Sequence, residues 1–357
     1  MDGLMFSLLQ KSVYLFFLGI ISFTVSATEL NHWPPSIASH LNNLINSNKN
    51  IGAYAVFDMD NTSYQYDLEE ALLPFLEMKG LLNRENLDPS LKLIPFKDVN
   101  GHKESLSSYY YRLCAFDNMV CYPWAAQVYS GFTLAQLKGY VDELMAYEKP
   151  IPIYQYDKNN IIEIREVRAP KLYAGQQELY RKLMENGINV YVVSAAHEEL
   201  VRMIASDPRY GYGVKPQNVI GVTTLLSDRE SGELTTSRKQ IAEGRYNSVA
   251  NLKLKMSSYL WTPATWFAGK PAAISTYINQ WKKPILVAGD TPDSDGPMLF
   301  HALDSTKGGM RLWLDNNAKS RTEIDTMIKD NAKAQAENGI AVTADKNWIF
   351  VRPDQIN

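Results

Sequence analysis

Asp58 and Asp60 stand two residues apart in the stretch Tyr54 to Gln65, YAVFDMDNTSYQ, where an apolar run opens abruptly into polar side chains. Two carboxylates that close can share one divalent cation, with hydroxyls such as that of Thr62 as further oxygen groups. Other chemistry-bearing residues follow apolar runs further on: Ser194 after VYVV, Lys270 within WFAGKPAA, and Asp290, Asp293 and Asp295 after PILVAG. Each also has a bland reading, since a serine after a strand commonly caps a helix, a lysine before a helix is commonly solvated, and an isolated DxD can be a turn. A calcium loop is the sharper rival. Counted from Asp58 as position one, Asp60, Thr62 and Glu69 fall at ligand positions three, five and twelve. Against it, Ser63 occupies the place where the tight turn wants glycine, and the approach to Asp58 is β-rich rather than helical.

The elements around these residues decide between the readings. After a helix around Ser36 to Asn46, GAYAVFDMDNT reads as a short buried strand with a polar end. From Tyr64 to about Leu172 the pattern becomes mostly helical, in DLEEALLPFLEMKGLL, KESLSSYYYRLCAF and TLAQLKGYVDELMAYE. Strand and helix then alternate: the helix GQQELYRKLMENG, the strand INVYVVSA, the helix AHEELVRMIA and the strand or hairpin NVIGVTTLL. The helix GKPAAISTYINQWK follows, then PILVAGDTPDSDG as a strand opening into a loop, and GGMRLWLDN as a strand. SDRESGELTTSRKQIAEGR reads as a polar loop or hairpin between them. Such alternation specifies an α/β fold, a parallel sheet with helices on both faces, and ligands bind beyond the carboxyl ends of its strands. The expected organisation is a Rossmann-like core from residues 28–63 and 173–357, with a largely α-helical cap, 64–172, inserted after the first polar strand end.

In chain order, Asp58-Met59-Asp60-Asn61-Thr62, Ser194, Lys270 and Gly289-Asp290-Thr291-Pro292-Asp293-Ser294-Asp295 together resemble the four motifs of the haloacid dehalogenase (HAD) superfamily of phosphotransferases. The match covers about Tyr54 to Phe300. The run FDMDNTSYQYDLEEALLPFLE, the segments YYYRLC and CYPWAAQVYSGFTLAQLKGYVDE, and the N-terminal leader further resemble the exported phosphorylcholine phosphatases of bacteria. The resemblance implies a magnesium-dependent phosphomonoester hydrolase acting through an aspartyl-phosphate, although other divalent ions would suit the same ligands. A phosphomonoester repels nucleophiles by its own charge, so the catalyst must neutralise charge and align the attack. In this family Asp58 would be the nucleophile and Asp60 the acid and base, Asp60 also offering its backbone carbonyl to the metal. Thr62 and Ser194 would hold phosphoryl oxygens, Ser194 helped by the N-terminus of the helix after it. Lys270 would offset charge, and Asp290 would join Asp58 on the metal. Asp295 fits the longer spacing of the motif's further acid, and Asp293 is a second candidate for a supporting role. An acid at Asp60 favours phosphatase over dehalogenase, because an alkoxide needs a proton to leave and a halide does not.

Phosphocholine as substrate would require aromatic surface for the trimethylammonium group and a carboxylate nearby. Tyr109, Tyr110, Tyr111, Tyr122 and Trp124 are available in the cap, and Asp67, Glu69 and Glu70 just after the first motif. Glu69, Glu70, Tyr110, Trp124 and Asn61 are the substrate-binding candidates. The same aromatics at helical spacing equally describe packing, and the acids the first turn of a helix. Phosphoethanolamine or phosphoserine as substrate, or a non-catalytic quaternary-ammonium-binding protein, are the alternatives; an intact set of Asp58, Asp60, Lys270 and Asp290 argues against the last.

The chain has 357 residues and a formal net charge of −3, which excludes the basic surface that nucleic-acid binding needs. Lys11 precedes an apolar stretch from Ser12 to Val25, and Val25-Ser26-Ala27 places small residues for cleavage after about Ala27. The stretch is shorter than the about 20 residues of a membrane span. The expectation is a cleaved signal peptide, residues 1–27, and a periplasmic or secreted protein without a span in its mature part. Export permits a disulfide between Cys114 and Cys121, the two cysteines of the chain. On one continuous helix their Cα atoms would lie about 10 Å apart, too far to bond, so the bond requires a break that AFDNMV could supply. Sequence leaves that open.

Overall fold

The computed structural model describes residues 28–156, 159 and 161–357, and the signal peptide expected over residues 1–27 lies outside them. Pro35 opens α1 (Pro35–Asn48), where no amide partner is needed, and the helix buries Leu41, Leu44 and Ile45. Four residues without polar alternation make β1 (Tyr54–Phe57), which is buried throughout. Past the turn at 58–63, β2 (Tyr64–Gln65) leads into α2 (Leu68–Met78), capped by Asp67 accepting from the Glu70 amide. Ser105 caps α3 (Leu106–Phe116) in the same way. Asp117 then takes extended backbone, ending α3 and capping α4 (Asn118–Gln127). That break answers the cysteine question: Cys114 and Cys121 are disulfide-bonded, with Cα atoms 4.9 Å apart.

Thr133 and Gln136 form a capping box at the start of α5 (Leu134–Met145). The next segment departs from the helical expectation. β3 (Ile151–Tyr156) and β4 (Ile162–Val167) form an antiparallel hairpin, and β3 alternates buried Ile151 and Ile153 with exposed Pro152 and Tyr154. Two-residue periodicity, rather than the helical one, governs here. β5 (Lys171–Leu172) pairs antiparallel with β2, so the chain re-enters beside the point where it left.

Alternation then proceeds as expected through α6 (Ala174–Glu185), β6 (Asn189–His197), α7 (Glu198–Ala205) and β7 (Val219–Ser227). The polar stretch after β7 takes the hairpin alternative, with β8 (Leu234–Thr235) antiparallel to β7, followed by α8 (Ser237–Ala242), capped by Thr236. Next come α9 (Ser248–Asn251), β9 (Lys255–Trp261), α10 (Gly269–Ala273) and β10 (Leu286–Gly289). The expected loop DTPDSDG is instead the start of a helix, α11 (Pro292–His301), with proline at its first position. β11 (Met310–Leu314), α12 (Ala318–Glu337) and β12 (Trp348–Val351) complete the fold, the last two extending it beyond the elements expected from the sequence.

The sheet runs β12-β11-β10-β1-β6-β7-β8, with β9 also paired to β7. It is parallel from β12 to β7 and antiparallel at β8 and β9. Successive side chains feed opposite layers: Ala55 and Phe57 pack with Val190, Val192, Leu286 and Leu312, whereas Tyr54 and Val56 pack with Val193, Val287 and Trp313. Helices therefore cover both faces, as the near-continuous apolar strands require. β1 has β6 on one side and β10 on the other, so strand order reverses beside it and a crevice opens at the carboxyl ends. No helix among the described residues is long and apolar enough to cross a membrane.

Candidate active site

The turn after β1 is fixed from several sides. The Asp58 amide donates to Ala288 O across β10, and Ser63 Oγ donates back to Asp58 O at 2.7 Å. Tyr180 donates its hydroxyl to Ser63 Oγ at 2.6 Å, and Gln176 donates to Thr62 O. Asn61 turns the chain with φ 55°, which asparagine tolerates because its short amide bonds locally; its Oδ1 accepts from the Tyr66 amide at 2.9 Å. Asp58 and Asp60 thus emerge from a rigid loop at the mouth of the crevice.

Register brings the distant motifs to this loop. Phe57 pairs with Ala288, which sets Asp58 beside Asp290. Asp58, Asp290 and Asp295 are all buried and offer carboxylate oxygens within 4.8 Å of one another. Lys270, on α10 and itself buried, donates to Asp58 Oδ1 at 2.7 Å and Asp295 Oδ1 at 2.5 Å. Asp295 Oδ2 also accepts from the amides of Asp290 and Thr291. This close approach requires glycine at 289, where a Cβ would lie 2.6 Å from that of Asp295. Asp290 is oriented by Thr62 Oγ1 at 3.0 Å, Thr291 Oγ1 at 3.3 Å and Asn316 Nδ2 at 3.2 Å.

One ammonium faces three acids, and the titration behaviour reflects the imbalance. Burial, then the Asp295 charge, push Asp58 up to about 7 in spite of Lys270. Burial, then Asp295 and Asp58, hold Asp290 well above the usual carboxylate range. Burial would lower Lys270, but Asp295 and Asp58 outweigh it and keep the ammonium charged. Such a cluster fits a hard divalent cation, which takes oxygen ligands and cancels the surplus negative charge. Since Lys270 and two amides already occupy Asp295, Asp58 and Asp290 are the side chains suited to hold the ion.

Above this cluster lies a cavity of about 310 Å³ between the strand ends and the inserted helices. Asp58, Asp60, Asn61 and Ser194 line its floor; Asp67, Glu69, Glu70, Tyr110, Tyr111, Tyr122 and Tyr129 line its walls. Its lining holds five carboxylates and neither lysine nor arginine. Glu69 accepts from the His197 amide at 3.0 Å and Glu70 is bonded by the Tyr111 hydroxyl, yet burial first, and the Asp67 charge as well, push each up to about 8. Asp67 is raised by burial too, its contacts with the Glu70 and Glu69 amides opposing this. Asp60 is held well above the usual range by burial and then Asp67.

The structure rearranges several sequence expectations. Thr62 is fully buried and its hydroxyl serves Asp290 rather than facing the cavity. Ser194 does line the cavity, but its helix begins only at Glu198 and is capped by His197; Ser194 Oγ instead accepts from the Ala196 amide. The sheet register shifts between Val193 and His197, an irregularity of the kind that re-aims a strand-end side chain. Trp124 is buried behind Tyr110, bonded by its indole N–H to Leu91 O, and does not line the cavity. Asp293 is exposed and belongs to neither the acid cluster nor the lining. Calcium-loop geometry is likewise missing: Glu69 bonds to His197, and the acids that meet Asp58 are Asp290 and Asp295. Sequence reasoning also missed Asn316, whose amide donates to Asn61 O at 3.0 Å as well as to Asp290. Its signal was available, because it lies two residues past the end of the run RLWL of β11, after Asp315. Ser294, whose buried Oγ lacks a partner among the described residues, lines the cavity and was passed over as well.

A phosphorylcholine phosphatase from Pseudomonas aeruginosa is 67% identical over 331 residues, 93% of this chain and 94% of that one. A conserved protein of unknown function from Anaerococcus prevotii shares the fold, with a TM-score of 0.55 at 19% identity over 85% of this chain and 90% of that one. A HAD family hydrolase from Salmonella enterica gives a TM-score of 0.42 at 12% identity over 81% of this chain and 75% of that one. No family model matches the chain.

Proposed function

We infer that this chain, which belongs to the phosphorylcholine phosphatase family and has the haloacid dehalogenase fold, hydrolyses phosphocholine to choline and phosphate. The observation that carries the reading to substrate is the cavity itself: an acidic, tyrosine-walled space without a basic residue, opening directly onto a carboxylate cluster. A phosphoryl group belongs at the cluster and a permanent cation at the tyrosine and glutamate wall. Residues 64–172 act as the cap that supplies this wall, and residues 28–63 with 173–357 as the catalytic core.

Asp58 attacks phosphorus and forms an aspartyl-phosphate, so that one hard displacement becomes two. Asp60 gives its proton to the choline oxygen as the P–O bond breaks, then takes one from the water that hydrolyses the intermediate. Asp58, Asp290 and the Asp60 backbone carbonyl would hold magnesium, which would supply charge neutralisation at the phosphoryl group. Ser194 holds a phosphoryl oxygen, Thr62 and Asn316 keep Asp290 oriented, and Lys270 offsets the charge of the nucleophile. Tyr110, Tyr111, Tyr122, Glu69 and Glu70 take the trimethylammonium group. Export is supported by the Cys114–Cys121 disulfide, which persists in an oxidising compartment.

Purified protein with magnesium should release phosphate from phosphocholine faster than from phosphoethanolamine or phosphoserine, with p-nitrophenyl phosphate as a probe of the phosphoryl site alone. Absence of magnesium-dependent release from all four sinks the enzyme reading, and equal rates on all four sink the choline selectivity. A second expectation concerns pH. Glu69 and Glu70 each sit at about 8, and a cation favours their ionised forms, so choline should bind more tightly as pH rises from 6 to about 9. Calorimetry near neutral pH in buffers of different ionisation enthalpy should then register proton release on binding. Choline affinity that does not change over this range would separate the glutamates from the cation.

A further inference from the structure

We propose that Tyr64 is a positioning residue for the proton that Asp60 delivers, and that its contact fixes Asp60 Oδ2 as the atom carrying that proton. This rests on the phosphatase reading above and goes on to name an atom and a partner. Two donors converge on one oxygen of Asp60: the Tyr64 hydroxyl and the Leu68 amide, each 2.7 Å from Oδ1. An oxygen accepting two hydrogen bonds cannot also hold the acidic proton favourably, so the proton belongs on Oδ2. Asp60 lines the cavity, whereas Tyr64 is fully buried below it. Tyr64 therefore touches the acid without touching substrate.

The place of Tyr64 in the fold adds a second consequence. It lies on β2, which pairs with β5 through Tyr64↔Leu172, and these two short strands are where the chain leaves the sheet region for the inserted helices and returns from them. Leu68, the other donor, is the first residue of α2, the helix that carries Glu69 and Glu70. The acid is thus tied by one oxygen to the outgoing connection and to the helix of the cation wall. In the first half-reaction the Oδ2–H bond breaks and an O–H bond forms on choline as its P–O bond breaks and the Asp58 O–P bond forms. In the second, water gives a proton to Oδ2 as its oxygen attacks phosphorus and the Asp58 O–P bond breaks. Atoms and charge balance over the two, and no further reactant is needed.

Tyr64→Phe removes the hydroxyl and keeps the ring, and the leaving group reports what was lost. The quantity to measure is kcat/KM, which covers steps only up to transfer of the phosphoryl group. For phosphocholine, whose alkoxide needs a proton, kcat/KM should fall by about tenfold to a hundredfold, a part of the general acid contribution. For p-nitrophenyl phosphate, which leaves as a stable phenolate, it should stay within about twofold, because no proton is required. Tyr64→Leu, lacking the ring, should lose on both substrates and melt at a lower temperature, marking the pattern of a merely structural defect. Equal losses on the two substrates in Tyr64→Phe, or no loss on either, overturn the proposal while leaving the phosphatase reading intact. That reading fails separately, if the unaltered protein hydrolyses neither substrate.

Discussion

Replacing Asp58 by asparagine abolishes phosphate release, by about 10⁴-fold or more, on phosphocholine and p-nitrophenyl phosphate alike. The amide has nearly the shape of the carboxylate but no charge to attack phosphorus, so the aspartyl-phosphate cannot form. Loss on both substrates separates this change from the leaving-group pattern of Tyr64→Phe. The fold should survive and even gain. Asp58 is buried, opposed by Asp295 and pushed up to about 7, and a neutral side chain relieves that repulsion. The sign follows from linkage: an acid raised on folding contributes least above its folded value, so the advantage of the variant should grow as pH rises through 7. Urea unfolding in chelator at pH 5 and pH 8 checks this, beside mass spectrometry for a phosphorylated chain in the unaltered protein. A folded variant retaining more than about a tenth of the rate would place the nucleophile elsewhere.

Lys270→Met has a comparable effect by a different route. Its buried ammonium is bonded to two of the three clustered carboxylates, and methionine fills the volume without the charge. Breaking a buried pair by removing one partner costs about 3–5 kcal/mol, because the remaining charges stay buried and unpaired. Activity should fall by about 10²–10³-fold through the loss of preorganised charge beside the transferring group. The two losses respond differently to conditions. Without Lys270, Asp58 and Asp290 rise further, so the stability deficit in chelator should be small at pH 5 and large at pH 8, and added magnesium should restore part of it. Activity should not return with magnesium. A deficit of the same size at both pH values would mean that Lys270 matters to packing and not to charge.

Much of the site was legible because its chemistry sits directly after buried strands, and a parallel sheet exposes just those positions. The polar ends of YAVF, VYVV and PILVAG each contributed a residue to the cavity or the acid cluster. The same rule applied once more at RLWL would have reached Asn316. The helical stretches of the insertion were legible from their period, and the β3–β4 hairpin was hidden by Pro152 and by the polar residues that separate its strands in the sequence. Trp124 shows the limit of composition. Tyr110 and Trp124 are both aromatic and stack on each other, yet one faces the cavity and the other packs beneath it.

The sequence by itself determined the class of fold, the order of the reactive residues along the chain and the kind of chemistry they suit. These follow from short-range pattern: apolar runs that must be buried, and charged groups at the places where burial ends. The tertiary structure alone decided which of those groups meet. Asp293 and Asp295 look alike in GDTPDSDG, but two positions on a helix turn about 200°, so Asp295 reaches Lys270 and Asp293 faces solvent. Cys114 and Cys121 could bond only because Asp117 breaks the helix between them. Asp58 and Asp290 are neighbours because Phe57 pairs with Ala288, a register fixed by the whole sheet and written in no single stretch of it.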